Sequence, residues 1–189
     1  MSGIKKKFFV WTSVLVGIVI GLFASMGIAD ILHATGGGWI CTVCHTMQPE
    51  NEAYANDVHG GNNKLGLKAQ CVACHLDHTS AYTYVLTKAK VTINDVYKTI
   101  FTDTDKIDWQ KKREHRSHFV YDSGCLSCHG NLKNVIQAGK AFLPHREYFV
   151  LGNPNKKSCV DCHTNVGHKD LGFHIDKYEA KLKVEKSTK

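Results

Sequence analysis

The sequence predicts a mostly α-helical fold with long loops: one membrane-spanning helix at the amino terminus, then a domain whose core is not made by its own side chains. Three observations predict it. A 22-residue apolar run extends from Phe8 to Ala29. Alternating apolar and polar strand patterns are scarce in the rest of the chain. All eight cysteines fall into four C-x-x-C-H pentapeptides, Cys41-Thr-Val-Cys44-His45, Cys71-Val-Ala-Cys74-His75, Cys125-Leu-Ser-Cys128-His129 and Cys159-Val-Asp-Cys162-His163.

The apolar run spans about 33 Å as a helix, enough to cross a hydrocarbon core. A secretory signal has a shorter apolar region and an A-x-A-like cleavage site, to which only Gly27-Ile28-Ala29 comes near. An uncleaved anchor over 8–29 is therefore expected. Lys5, Lys6 and Lys7 place the basic segment 1–7 in the cytoplasm. Everything after Asp30 then lies outside it, at the periplasmic face of a bacterial inner membrane.

The pentapeptides explain the remainder. Two thiols three residues apart reach the two vinyl groups of one porphyrin, and the following histidine lies under the iron. Disulfides give no reason for four adjacent histidines, and zinc sites need no such recurrence. Cys41, Cys44, Cys71, Cys74, Cys125, Cys128, Cys159 and Cys162 are thus read as thioether anchors for four covalently bound haem c groups. His45, His75, His129 and His163 are read as iron ligands. About 40 residues per haem cannot build an ordinary apolar core, so the porphyrins are expected to form it across 30–175, and the haem-free chain should not fold.

The formal charge is +7. Each ferric haem with its two propionates adds about one negative charge, leaving about +3. This argues against nucleic acid as a partner. The lysine-rich tail, 176–189, reads as a solvated, partly disordered end.

Motif starts are separated by 30, 54 and 34 residues, which suggests two dihaem halves. Within the long insert, Ser80 to Phe101 has no Gly or Pro and reads as a helix. Asp103 to Asp108 is a polar break, and Trp109 to Val120 reads as a second, charged helix. Gly36-Gly37-Gly38 is a turn after the anchor, and Gly60-Gly61-Asn62-Asn63 is a loop.

An anchor followed by four such motifs resembles the NapC/NirT family of membrane-bound quinol dehydrogenases. The likeness extends beyond the haem signature, to Leu32-His33-Ala34-Thr35, Val58-His59-Gly60-Gly61, Cys74-His75-Leu76-Asp77-His78, Asn94-Asp95-Val96-Tyr97 and the stretch from Cys159 to His168. It covers the chain from the anchor to about His168. The resemblance implies that quinol, menaquinol in the first instance, is oxidised near the first haem at the membrane surface. Electrons then leave one at a time for periplasmic terminal reductases in anaerobic respiration, with nitrite, nitrate or another multihaem protein as acceptor. Some members dimerise within larger complexes, so a homodimer is among the expected assemblies.

The resemblance also implies site residues. His59 caps the third haem and His168 the second. His145 caps the fourth, with His118, or a lysine from a partner protein, as its rivals. In NrfH-like members a C-x-x-C-H-x-M motif gives the first iron to the methionine. Met47 therefore competes with His45, whereas chemistry read from this chain alone chooses His45. Lys88 and Asp95 are two turns apart, share one helix face and match residues lining the quinol site. Asp95 would take the quinol protons as general base. Lys88 would hydrogen-bond the quinol oxygen and stabilise its developing charge. His33 is a weaker pocket candidate. A passive anchored carrier, or a small reductase acting at an open haem, is the alternative function.

Overall fold

The structure, a computed structural model, describes residues 2–43, 45–135, 140–149 and 156–188. Among them the order is α1 (Ser2–Ala34), α2 (Gly38–Cys41), α3 (Gln48–Ala55), α4 (Cys71–His75), α5 (Ala81–Phe101), α6 (Trp109–Lys112), α7 (Asp122–Cys128), α8 (Leu132–Val135), α9 (Phe142–Phe149), α10 (Cys159–Cys162) and α11 (Leu171–Ser187). Three 3-10 turns, His45–Met47, Thr104–Lys106 and Arg113–His118, lie between them. The single β feature among the described residues is one antiparallel bridge between Gly60 and Lys68.

The chain divides at Gly37 into two units. The first is α1, 33 residues long, with an apolar run long enough to cross a membrane. Its large side chains, Phe9, Trp11, Leu15 and Phe23 among them, are exposed. That is costly in water and natural in lipid.

The second unit holds all four motifs. Its buried apolar side chains, among the described residues, are Ala53, Leu76, Val160 and Ile175. So few core residues cannot offset the entropy of ordering a domain of this size, in keeping with a core supplied by cofactor.

Local signals account for the elements. Ser80 opens α5 with a reciprocal capping box: its hydroxyl accepts from the Thr83 amide at 3.1 Å, and its own amide donates to the Thr83 hydroxyl at 3.0 Å. The expected break at 103–108 arises because Asp103 and Asp108 each cap a new turn, accepting from Asp105 and Lys111 amides at 3.2 and 2.8 Å. The second expected helix, 109–120, is instead a four-residue α turn followed by a 3-10 segment, kinked at His115 (φ −103°, ψ 31°). Its charged sequence carries no apolar stripe to hold a longer helix on the domain.

The lysine-rich end differs more. It forms α11 through Ser187 and packs on α3. His174 and Ile175 are buried there. Lys177 reaches Glu52 at 3.4 Å, and Lys186 reaches Asp105 at 3.1 Å.

Candidate haem and quinol sites

Each motif lies on a short helical turn: Cys41 ends α2, Cys71–His75 is α4, Cys125 and Cys128 are on α7, and Cys159 and Cys162 are on α10. Packing brings these turns together. Gly124, just before Cys125, lets α7 press on α4, because a Cβ there would run into the Ala73 carbonyl. The Tyr121 amide donates to the Cys74 carbonyl at 2.9 Å. The His78 amide donates to the Ser123 hydroxyl at 2.9 Å, which donates to Asp77 at 2.8 Å. Asp122 ties the other end: one carboxylate oxygen accepts the Cys159 amide at 2.9 Å, and the other accepts the Tyr148 hydroxyl at 2.7 Å.

The thiols of Cys41 and Cys71 lie within hydrogen-bonding reach, as do those of Cys125 and Cys159. The four motifs therefore group as one–two and three–four, the grouping that the sequence gaps suggest.

Three motif histidines each face a second imidazole. The ring centres of His75 and His168 are 6.1 Å apart, those of His129 and His59 6.2 Å, and those of His163 and His145 6.1 Å. A ligating imidazole nitrogen sits about 2 Å from its metal and about 1 Å from its own ring centre, so two imidazoles on opposite faces of one iron have centres about 6 Å apart. All three pairs have that spacing. His118, the rival of His145, stacks instead on His115, at 5.6 Å and 16°.

In four of the six rings the nitrogen at Nδ1 is occupied. That of His75 meets the Phe119 carbonyl at 2.7 Å, that of His168 the Glu50 carbonyl at 2.9 Å and that of His145 the Ala141 carbonyl at 2.8 Å. His59 differs: its Nδ1 meets the buried Asp57 carboxylate at 3.0 Å, and its amide donates to the same oxygen at 2.8 Å. Such partners fix the tautomer and leave Nε2 for a metal. No group of three or more His, Cys, Asp or Glu side chains fit for a metal ion occurs among the described residues. That excludes nothing here, since haem iron needs only two axial protein ligands. The residues present fit haem at the second, third and fourth motifs.

The first motif is different. Cys44 lies outside the described residues, as does the side chain of His45. Met47 is half-buried, at the amino end of α3. Lys88 and Asp95 lie on α5, and both act electrostatically on Cys41. Partial desolvation pushes the Asp95 carboxyl above the ordinary carboxylate range and lowers the Lys88 ammonium. The Asn94 amide donates to Asp95 at 3.3 Å. His33 closes the last turn of α1, in the other unit.

Sequence reasoning missed three groups. Asp57 backs His59, and the Asp-x-His spacing, with Asp accepting from the amide two residues on, was a legible signal. Asp122 joins the third and fourth motifs, and no local pattern announces it. Glu50 has a largely buried carboxyl with one oxygen unpartnered, and burial pushes it up to about 7; nothing in its neighbourhood in sequence marks it.

Helical turns carrying C-x-x-C-H, imidazole pairs spaced for one iron and a scant apolar core define a multihaem c-type cytochrome. The model of the NapC/NirT cytochrome c family, N-terminal region, matches residues 4–172, and the chain belongs to that family. It is 31% identical over 177 residues to the tetraheme c-type cytochrome CymA of Shewanella oneidensis, covering 87% of this chain and 92% of the relative. It is 29% identical to the cytochrome c-type protein TorC of Escherichia coli, covering 82% of this chain and 41% of that longer protein. It is 24% identical to Escherichia coli NapC, over 84% and 81%. No solved structure matches. Family membership and the apolar α1 make this an inner-membrane cytochrome carrying covalent haem c.

Proposed function

We propose that this chain is a quinol dehydrogenase, which takes electrons from membrane quinol, menaquinol in the first instance, and delivers them singly to a periplasmic reductase. The observation that carries the proposal is the placement of Lys88 and Asp95 together beside Cys41, the attachment point of the first haem. The haems, when bound, supply one-electron acceptors in series. The residues supply what a haem cannot. Oxidising a quinol releases two protons as well as two electrons. Asp95, desolvated and raised in pKa, is suited to take a proton near neutral pH as general base. Lys88 is suited to hydrogen-bond the quinol oxygen and stabilise the charge that develops as the proton leaves.

In the same reading α1 remains as the anchor, with Lys5, Lys6 and Lys7 on the cytoplasmic side. His75 and His168 hold the second iron, His129 and His59 the third, and His163 and His145 the fourth. Their spacings support this set. The first iron takes His45 or Met47. A nitrite or nitrate reductase, or another multihaem protein, is the acceptor; a homodimer within such a complex is compatible with the reading.

The test is Asp95→Asn in proteoliposomes. Quinol-driven haem reduction should fall by about 10²–10⁴, with dithionite reduction unchanged. A base works only when deprotonated, so wild-type quinol oxidation should decline as pH falls through the raised Asp95 pKa, and Asp95→Asn should lose that limb. Quinol kinetics that Asp95→Asn leaves intact would overturn the assignment.

A further inference from the structure

Helix α5 has two dissimilar sides. Tyr84, Thr87, Lys88 and Val91 are half-buried, and this side faces the domain. Tyr84 packs against His78, with ring centres 5.2 Å apart, and the Thr87 hydroxyl accepts the Asp77 amide at 3.2 Å. The other side carries Tyr82, Leu86, Ile93, Val96, Tyr97 and Ile100, at spacings of mainly three, four and seven residues. All six are exposed, between 49% and 72%, and α5 buries no residue at all. A domain helix normally turns its apolar stripe inward. This one turns it outward.

The first haem does not account for the outward stripe. Its attachment cysteine, Cys41, acts on Lys88 and Asp95, which the helical period places away from the stripe. What covers the stripe is indicated by the rest of the chain. The same polypeptide carries a helix able to cross a membrane, so lipid is always within a tether's reach of α5. The charges agree. Asp95 is the one carboxylate of α5, against Lys88, Lys90 and Lys98, and Lys90 borders the stripe. An apolar stripe edged by lysine suits the boundary between acyl chains and anionic headgroups. Tyr82 and Tyr97 suit the same depth, since their rings are apolar and their hydroxyls are wet.

We propose that α5 is an interfacial helix that lies in the outer surface of the bilayer, with its apolar stripe in lipid. Lys88 and Asp95 then open at the level where a membrane quinol presents its headgroup. The inference rests on the membrane location of the chain and not on quinol oxidation.

Two single-cysteine variants of the full haem-loaded protein, Ile93→Cys and Ile100→Cys, test it. The eight native cysteines are consumed as thioethers, so each variant offers one thiol to a nitroxide label. Lys64→Cys, in an exposed loop, gives the water reference. The proteins are reconstituted in bilayers containing phosphatidylglycerol, and label access to oxygen and to a water-soluble nickel complex is measured. The expected result is an oxygen-to-nickel access ratio at 93 and 100 severalfold above that at 64. Nickel access equal to that at 64 would leave the stripe in water and overturn the proposal. Low access to both reagents would mean that a second copy or a partner protein covers it, and would overturn it equally. An unchanged haem spectrum establishes that each variant is folded. Failure of Asp95→Asn to slow quinol oxidation would not alter these readings.

Discussion

At the second, third and fourth motifs the histidine faces another imidazole, 6.1 to 6.2 Å away between ring centres. Around the first, the groups acting on Cys41 are a thiol, a carboxylate and an ammonium, those of Cys71, Asp95 and Lys88. The two kinds of surroundings do different chemistry. An iron between two imidazoles has no place for a substrate; it can only change charge, and its ligands stay fixed when it does. A carboxylate of raised pKa beside a lysine can bind a hydroxyl group and remove its proton. The contrast is that between conducting electrons and obtaining them, and it lies within one small domain.

The largest expected effect breaks the conducting side. His145→Ala should turn one of the four haems from low-spin to high-spin, read by optical and electron paramagnetic resonance spectra. His118→Ala should leave the low-spin count unchanged, because His118 stacks on His115 rather than facing a motif histidine. The reverse outcome would assign the fourth iron to His118. The obtaining side is broken separately. Lys88→Ala should slow quinol-driven reduction by about 10²-fold, while the low-spin count and dithionite reduction stay as they were. A simultaneous loss of a low-spin haem would show that α5 supports the haem fold, and would blur the contrast.

Much of this was legible before any coordinates. The anchor is a composition signal with one physical meaning in a chain this long. The haem sites are a covalent requirement written in five residues. The α5 helix carries its cap at Ser80 and has no breaker before Phe101. The charged helix expected over 109–120 failed because a run of charges has no apolar period. The tail was misread for the opposite reason: its lysines hid one. Leu171, Ile175, Tyr178 and Leu182 recur at four, three and four residues, and all are at least half-buried. The axial partners were legible only through family resemblance. His168 and His75 are 93 residues apart, and no local rule links them. Asp122 escaped notice because its two partners are 26 and 37 residues away.

The smallest effect separates the conducting sites from one another. His75, His145 and His168 give Nδ1 to neutral carbonyls, but His59 gives it to the Asp57 carboxylate. Asp57 is 6% exposed, so its charge is poorly screened. A carboxylate on Nδ1 makes the imidazole a more basic ligand, which favours the more positive, oxidised iron and lowers its potential. Asparagine can still accept from both His59 nitrogens and keeps the local geometry, but brings no charge. Asp57→Asn should therefore raise one of the four midpoint potentials, by about 59 mV if the redox equilibrium shifts tenfold. The other three potentials and the quinol-driven rate should move little, since Asp57 stands among the conducting residues. A potentiometric titration that returns four unchanged potentials would mean that the buried carboxylate only holds the turn at His59, and that the three conducting sites are electrostatically alike.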